Sequence, residues 1–354
     1  MVVAWIGGFD HNQEVSPVYL GVEGVEQVVS TGRLPAWDRV EDLVAEAVER
    51  NRAVDTGEVA TYIPVLAQVA PDLFGVSVVE VDGGVHDAGD TEHAFSIQSI
   101  SKAFVYALVC DAIGHDVVLE RVGVNNTGHS FNSVMAIELN NGHPMNPMVN
   151  AGALATTALV PGSTPVSTWA FIHEGLSRFA GRELRLDLEV YESEAATNQR
   201  NKAIARLLES YGRISVDPAE VVDVYTKQCA LLVNAHDLAV MGATLADGGV
   251  NPVTGERVVA ASVCADTLAV LAANGLYERS GEWLFEIGLP GKSGVAGGIV
   301  TVAPGKAGIG TFSPRLDDAG NSVRGQRATA FLSRSLGLNV FASEMHPRDD
   351  GRPS

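Results

Sequence analysis

Apolar residues recur along this chain at two spacings, and the changes between them mark out its elements. Asp38 to Glu49 carries Val40, Leu43, Val44 and Val48 at helical intervals, which predicts an amphipathic helix. Tyr62-Ile-Pro64 interrupts the next stretch and sets Pro64 in the first turn of a short helix holding Leu66 and Val69. From Phe74 the pattern changes. Phe74-Gly-Val-Ser-Val-Val-Glu-Val-Asp82, then Gly83-Gly84 and a polar Asp87-Ala-Gly-Asp90, reads as strand and turn, returning through Glu92 to Ile97 as a β-hairpin. Residues from about 111 to 240 are mostly helix-like, in segments Met148 to Val160, Val166 to Arg178, Glu189 to Tyr211 and Pro218 to Gly248. Leu284 to Ile287, Gly298 to Pro304 and Gly308 to Phe312 have the length and composition of strands, and Ala328 to Phe341 looks helical. Hairpin, helix, helical insertion, strands and a last helix suit an α+β sheet layer with a mostly helical subdomain.

Three stretches follow: an extension over residues 1–36 with little periodicity, a main domain over 37–342, and a polar tail over 343–354. With 46% hydrophobic residues in 354, a substantial core is within reach. The 24 basic residues against 43 acidic ones give −19, a surface that repels phosphate backbones and anionic membranes, so nucleic acid and membrane are poor partners. The apolar start Met1 to Asp10 lacks the basic residues of a signal peptide, and no run of 18 apolar residues exists, so the cytoplasm is the expected compartment. Cys110, Cys229 and Cys264 show no C-x-x-C spacing and read as reduced, buried thiols. H-E-x-x-H and G-x-S-x-G arrangements are absent.

The chemistry concentrates in a few segments. Ser99-Ile-Ser-Lys102, an S-x-x-K element, follows the strand-like Ala94 to Ile97 and opens an apolar run. In a helix's first turn, a separation of three puts the Ser99 hydroxyl and the Lys102 amine on one face, a nucleophile beside a base, with Ser101 a spacer between them. The same letters also fit a helix cap followed by a surface lysine. Gly291-Lys-Ser-Gly-Val-Ala-Gly-Gly298 precedes a strand and resembles the K-[ST]-G edge-strand element that accompanies S-x-x-K in penicillin-recognising serine enzymes. Asn132, Asn140, Asn141, Asn146 and Asn150 crowd one segment. Amides crowded beside an apolar helix suit either the orientation of a polar ligand or ordinary turn chemistry, the latter favoured for Asn146, whereas Asn150 enters an apolar helix where its amide must find a partner. Glu194, Asn198 and Asn201 fall at i, i+4 and i+7, a face suited to an α-ammonium and α-carboxylate or simply to water. Tyr225 in an apolar helix and Tyr277 after Asn274-Gly-Leu are either core or site phenols.

Together these segments closely resemble the serine-dependent glutaminases. The resemblance rests on Tyr62-Ile-Pro64, Phe95-Ser-Ile-Gln-Ser-Ile-Ser-Lys102, Phe131-Asn-Ser133 and Asn146-Pro-Met-Val-Asn-Ala-Gly-Ala153. It continues through Ser193-Glu194, Asn198, Arg200-Asn201, Tyr225, Gln228-Cys229, Asp247 to Pro252, Leu276-Tyr277, Lys292 to Val295, Phe312 to Pro314 and Gly320 to Gly325. It implies a β-lactamase/penicillin-binding-protein-like fold, an antiparallel sheet flanked by helices, and hydrolysis of L-glutamine to L-glutamate and ammonia. It implies Ser99 as nucleophile, Lys102 as base, and Tyr62 and Tyr277 as catalytic tyrosines. Asn150, Glu194, Asn201, Tyr225, Tyr277 and the Val295 backbone would line the substrate pocket with Ser99. It further implies no metal or organic cofactor and a homodimer or homotetramer. Gly123-Val-Asn-Asn-Thr-Gly128, Ala296 and Glu278 depart from the family's usual residues. The competing expectations are a related serine hydrolase acting on a lactam, ester or peptide, and a non-catalytic amino-acid-binding protein.

Overall fold

The computed structural model describes residues 33–61 and 63–343; Tyr62, most of the 1–36 extension and nearly all of the 343–354 tail lie outside the described residues. Strands β1 (Gly75–Glu80), β2 (Val85–Gly89), β6 (Gly291–Ser293), β7 (Gly298–Ala303) and β8 (Ala307–Phe312) form an antiparallel sheet in the order β2-β1-β8-β7-β6. Pairs such as Val76 with Thr311 and Thr301 with Ile309 fix its register. The sheet is covered on both faces, and β7 and β8 are buried throughout, which is why they read as near-continuous apolar runs.

One face packs against α1 (Trp37–Asn51) and α13 (Val323–Ser335), where Val40, Leu43 and Val44 meet Val76, Val78, Ile309 and Phe331. The other carries α10 (Ala235–Ala246). Glycines let α10 sit directly on the strand backbone: a Cβ at Gly310 would lie 1.9 Å from the Ala235 carbonyl oxygen, and one at Gly308 2.1 Å from that of Ala239. Beyond α10 lies a helical layer built on α2 (Ser101–Ile113), α5 (Asn150–Thr157), α6 (Pro165–Ala180), α7 (Leu188–Thr197), α8 (Gln199–Ser210) and α9 (Pro218–Cys229). Short α3 (His115–Leu119) and α4 (Met135–Leu139) border it, and α11 (Ala261–Asn274) and α12 (Ser280–Ile287) lead back to β6. Among the described residues no helix is long and apolar enough to cross a membrane.

Several elements differ from the sequence expectation. The β1–β2 hairpin ends at Gly89; Phe95–Ser96 (β3) instead joins a small sheet, β3-β5-β4, with Leu231–Val233 (β5) and Arg185–Leu186 (β4). Leu284 to Ile287 is not a strand but the end of α12, where Trp283 and Ile287, four apart, are buried while Phe285 is 85% exposed. The segment from Glu189 to Tyr211 is two helices broken at Asn198, whose Nδ2 donates to Thr226 Oγ1 at 3.1 Å. Pro218 to Gly248 is likewise split: β5 intervenes, and Asn234 restarts the chain as a capping box with Asp237. The last helix begins earlier, capped by Ser322, and stops at Ser335 near Gly337, whose φ is +63°. Pro64 precedes only a single 3-10 turn, Leu66–Gln68.

Candidate active site

Ser99 sits where the small sheet meets α2. The Ile97 N–H donates to Leu231 O at 2.8 Å, and Gln98 then turns to φ +50°, a conformation uncommon outside glycine. Ser99 therefore lies in a 3-10 turn, Gln98–Ile100, rather than in the first turn of an α-helix, which starts at Ser101. Because residues three apart eclipse in a 3-10 turn, Ser99 and Lys102 still share one side. Neither is a surface residue: Ser99 is 8% exposed and Lys102 2%.

Lys102 Nζ donates to Asn150 Oδ1 at 2.8 Å and to Met148 O at 3.3 Å. No Lys102–Ser99 hydrogen bond forms among the described residues, and such contacts commonly tighten only with substrate bound. Burial pushes the amine down to about 8, opposed by the charges of Cys229 and Glu194. Asn150 passes the network on, donating from Nδ2 to Asn201 Oδ1 at 2.9 Å. Glu194 is pushed up to about 7 by burial, with the Gln98 amide, 3.4 Å away, and Lys102 holding it down. Glu194, Asn198 and Asn201 are all buried, despite the helix break between them, so solvation does not explain them. Asn146 makes an Asx turn, accepting from Met148 N at 3.0 Å and Val149 N at 3.2 Å, as turn chemistry predicts.

Two phenols close the site. Tyr225, in the last turns of α9, is buried with its ring centroid 6.0 Å from Lys102 Nζ, and burial holds its phenol well above the ordinary value. Tyr277, in a 3-10 turn at φ +55°, donates to Ser293 O at 3.4 Å and faces the Ser99 hydroxyl. Burial pushes Tyr277 up to about 12, while Ser99 and Ser293 hold it down. β6 is the sheet's edge strand, as the Lys-Ser-Gly spacing predicts. A Cβ on Gly294 would lie 3.0 Å from Ile97 O, so the loop bearing Val295 rests against the Ser99 turn. The Val295 N–H has no hydrogen-bond acceptor among the described residues. A cavity of about 770 Å³ opens beside Val295, lined by Thr61, Phe131, Arg279, Asp317 and Gly320.

Three residues that the sequence placed in motifs without giving them a role join the site. Lys292 is a second fully buried amine, driven well down by burial and by Lys102; its Nζ donates to Ser293 O at 2.8 Å and lies 4.3 Å from the Tyr277 ring centroid. Asn321 accepts from Ser293 Oγ at 2.6 Å, and Phe131 packs 4.9 Å from the Tyr277 ring. All three stood inside motifs, but only long-range contacts reveal what they touch.

An antiparallel sheet whose Lys-Ser-Gly edge strand faces a buried serine–lysine turn at the base of a helical layer defines a β-lactamase-like serine hydrolase architecture. The chain belongs to the glutaminase family, whose family model, Glutaminase, matches residues 57–341. It is 56% identical over 321 residues to Glutaminase 2 of Yersinia pestis, covering 91% of this chain and 94% of that one. A solved structure of a probable glutaminase, ybaS, superposes with a TM-score of 0.86 at 45% identity, covering 87% of this chain and all of that one. Mglu in its glutamate form superposes with a TM-score of 0.82 at 42% identity, covering 86% of this chain and 70% of that one.

Proposed function

We propose that this glutaminase hydrolyses the side-chain amide of L-glutamine through a covalent γ-glutamyl ester on Ser99, with Lys102 as general base. The observation that carries the reading is a fully buried lysine, its amine brought down to about 8, three residues after a buried serine. Such an amine can be neutral near physiological pH and accept the Ser99 proton. Ser99 Oγ then attacks the γ-carbonyl carbon, and the N–H groups of Ser99 and Val295 receive the oxyanion. The C–N bond breaks as the nitrogen takes up the proton, leaving as ammonia. Water attacks the ester in turn, its proton passes to Lys102, and glutamate departs with Ser99 reprotonated. Tyr277, facing Ser99, and Tyr62, on the family resemblance, are proposed to assist these proton transfers. Glu194 would meet the α-ammonium, with Asn150, Asn201 and Tyr225 fixing the α-carboxylate and orientation. The glutamate-bound form of Mglu supports an amino-acid pocket of this kind.

Both ionisable groups work deprotonated, which fixes the pH dependence. Glu194 near 7 must ionise to bind an ammonium and Lys102 near 8 must lose its proton to act as base, so kcat/KM is expected to rise steeply below pH 7. It should continue more shallowly to pH 8 and level off above, the two groups titrating as a coupled pair. Glu194→Gln should raise KM roughly 10²-fold or more by leaving the α-ammonium without its counter-charge. A profile flat from pH 6 to 9 would contradict both assignments.

Glutamine and nitrocefin turnover measured side by side test the substrate class. Rapid ammonia release from glutamine with negligible nitrocefin hydrolysis is expected; the reverse would favour a lactam hydrolase, and glutamine binding without ammonia release a non-catalytic binder. A cytoplasmic setting is proposed on the three free, buried cysteines. Self-association into a dimer or tetramer is proposed on exposed apolar side chains such as Met135, Leu139 and Phe285.

A further inference from the structure

We infer that Ser101 and Gln228 are positioning residues that hold the nucleophile turn in its reactive conformation; this rests on Ser99 being the nucleophile. Ser101 is fully buried, and its single hydroxyl proton goes to Gln98 O at 2.7 Å. The same carbonyl also accepts the Ser101 backbone N–H. The Ser101 oxygen in turn accepts from Gln228 Nε2 at 2.9 Å, an amide 127 residues away on α9 and itself 1% exposed. A directed chain therefore runs from Gln228 through Ser101 to the carbonyl of Gln98.

Gln98 is where the chain is under strain. A left-handed backbone in a residue with a Cβ is strained and persists only where its surroundings enforce it. Gln98 is followed directly by Ser99, so the direction of its carbonyl sets the direction of the peptide that carries the Ser99 N–H. Two bonds from Ser101 grip that carbonyl, and the Gln228 amide holds the Ser101 oxygen from α9, with the Cys229 thiol of the same helix also against it. The Gln98 side chain is tied at its other end, with Nε2 at 3.1 Å from Ser96 Oγ and 3.4 Å from Glu194 Oε2. The chain thus links the Ser99 turn to α9, the helix that also carries Tyr225, and to the carboxylate proposed to hold the substrate ammonium.

Neither Ser101 nor Gln228 would touch the reacting atoms, so their loss should act on turnover and not on binding. Ser101→Ala is expected to lower kcat by roughly 10²-fold, the scale of a sub-ångström to 1 Å misplacement of a reacting group. KM for glutamine and the inhibition constant of glutamate should stay within about twofold and the pH profile should not move. Ser101→Thr, which keeps the hydroxyl, should recover most of the rate. Gln228→Met, similar in volume but without the donor, should give the same kcat loss in milder form, and it decides the matter if Ser101→Ala does not fold. Wild-type kcat in a folded Ser101→Ala or Gln228→Met protein overturns the inference. So does a rise in the glutamate inhibition constant that matches the loss of rate, which would mean a collapsed pocket. An active Ser99→Ala enzyme would instead overturn the nucleophile assignment, so the two failures are distinguishable.

Discussion

Ser99→Ala is expected to abolish ammonia release from glutamine, lowering kcat by about 10⁴-fold or more while glutamate still binds within a few-fold. The size follows from what is removed: without the hydroxyl no ester forms, and water would have to attack the amide unaided in a pocket built for a covalent step. Glu194, Asn150, Asn201 and Tyr225 remain in place, so recognition of the amino-acid end should survive. The change deletes one buried oxygen that faces Tyr277, and stability should move little. Initial-rate ammonia assays with glutamate inhibition measured in parallel separate the two effects. Full ammonia release from the variant would remove the covalent mechanism.

Lys102→Met should do two things at once: cut kcat by about 10³-fold or more and raise the stability of the fold. The first follows from losing the base. The second follows from the lysine's setting: burial brings its amine from the ordinary 10.5 to about 8. A folded value below the unfolded one means the unfolded chain binds the proton more tightly. This group therefore costs stability in full below pH 8, and the cost fades as pH rises from 8 toward 10.5. The shift corresponds to about 3 kcal/mol at neutral pH. Methionine fills a similar volume without that cost but leaves Asn150 Oδ1 without a donor, a loss of about 1–2 kcal/mol. A net gain of about 1–2 kcal/mol is expected at pH 7, seen as a Tm several degrees higher, and it should shrink toward pH 10. Thermal melts of both proteins from pH 6 to 10 check this. A variant that is less stable at pH 7 would contradict the lysine's costly burial, and one with unchanged acylation would remove its catalytic role.

What could be read from the chain depended on where the information lay. α1 was legible because a helix with one wet face writes its period into the sequence. Ser99, Lys102 and Lys292 to Val295 were legible because the chemistry needs those residue types at short spacings. The break at Asn198 was not, because the amide that interrupts the helix is satisfied by Thr226 on another helix. Leu284 to Ile287 was misread because four apolar residues cannot distinguish a strand from a helix end; Trp283 and Phe285 decide it only once the packing is known. Gln98 offered no signal for its left-handed backbone, since glycine, the residue that usually announces that conformation, is absent there. Ser101, a spacer to the sequence, acquires a role only through Gln228.

The most direct test of the covalent account is the intact mass of the protein after exposure to a glutamine-like electrophile, followed by peptide mapping. A single adduct is expected, carried by the peptide containing Ser99 and located on that residue, with complete loss of ammonia release at one equivalent. An adduct on Cys229, Lys292 or any other residue, or inactivation with no covalent mass gain, would contradict it.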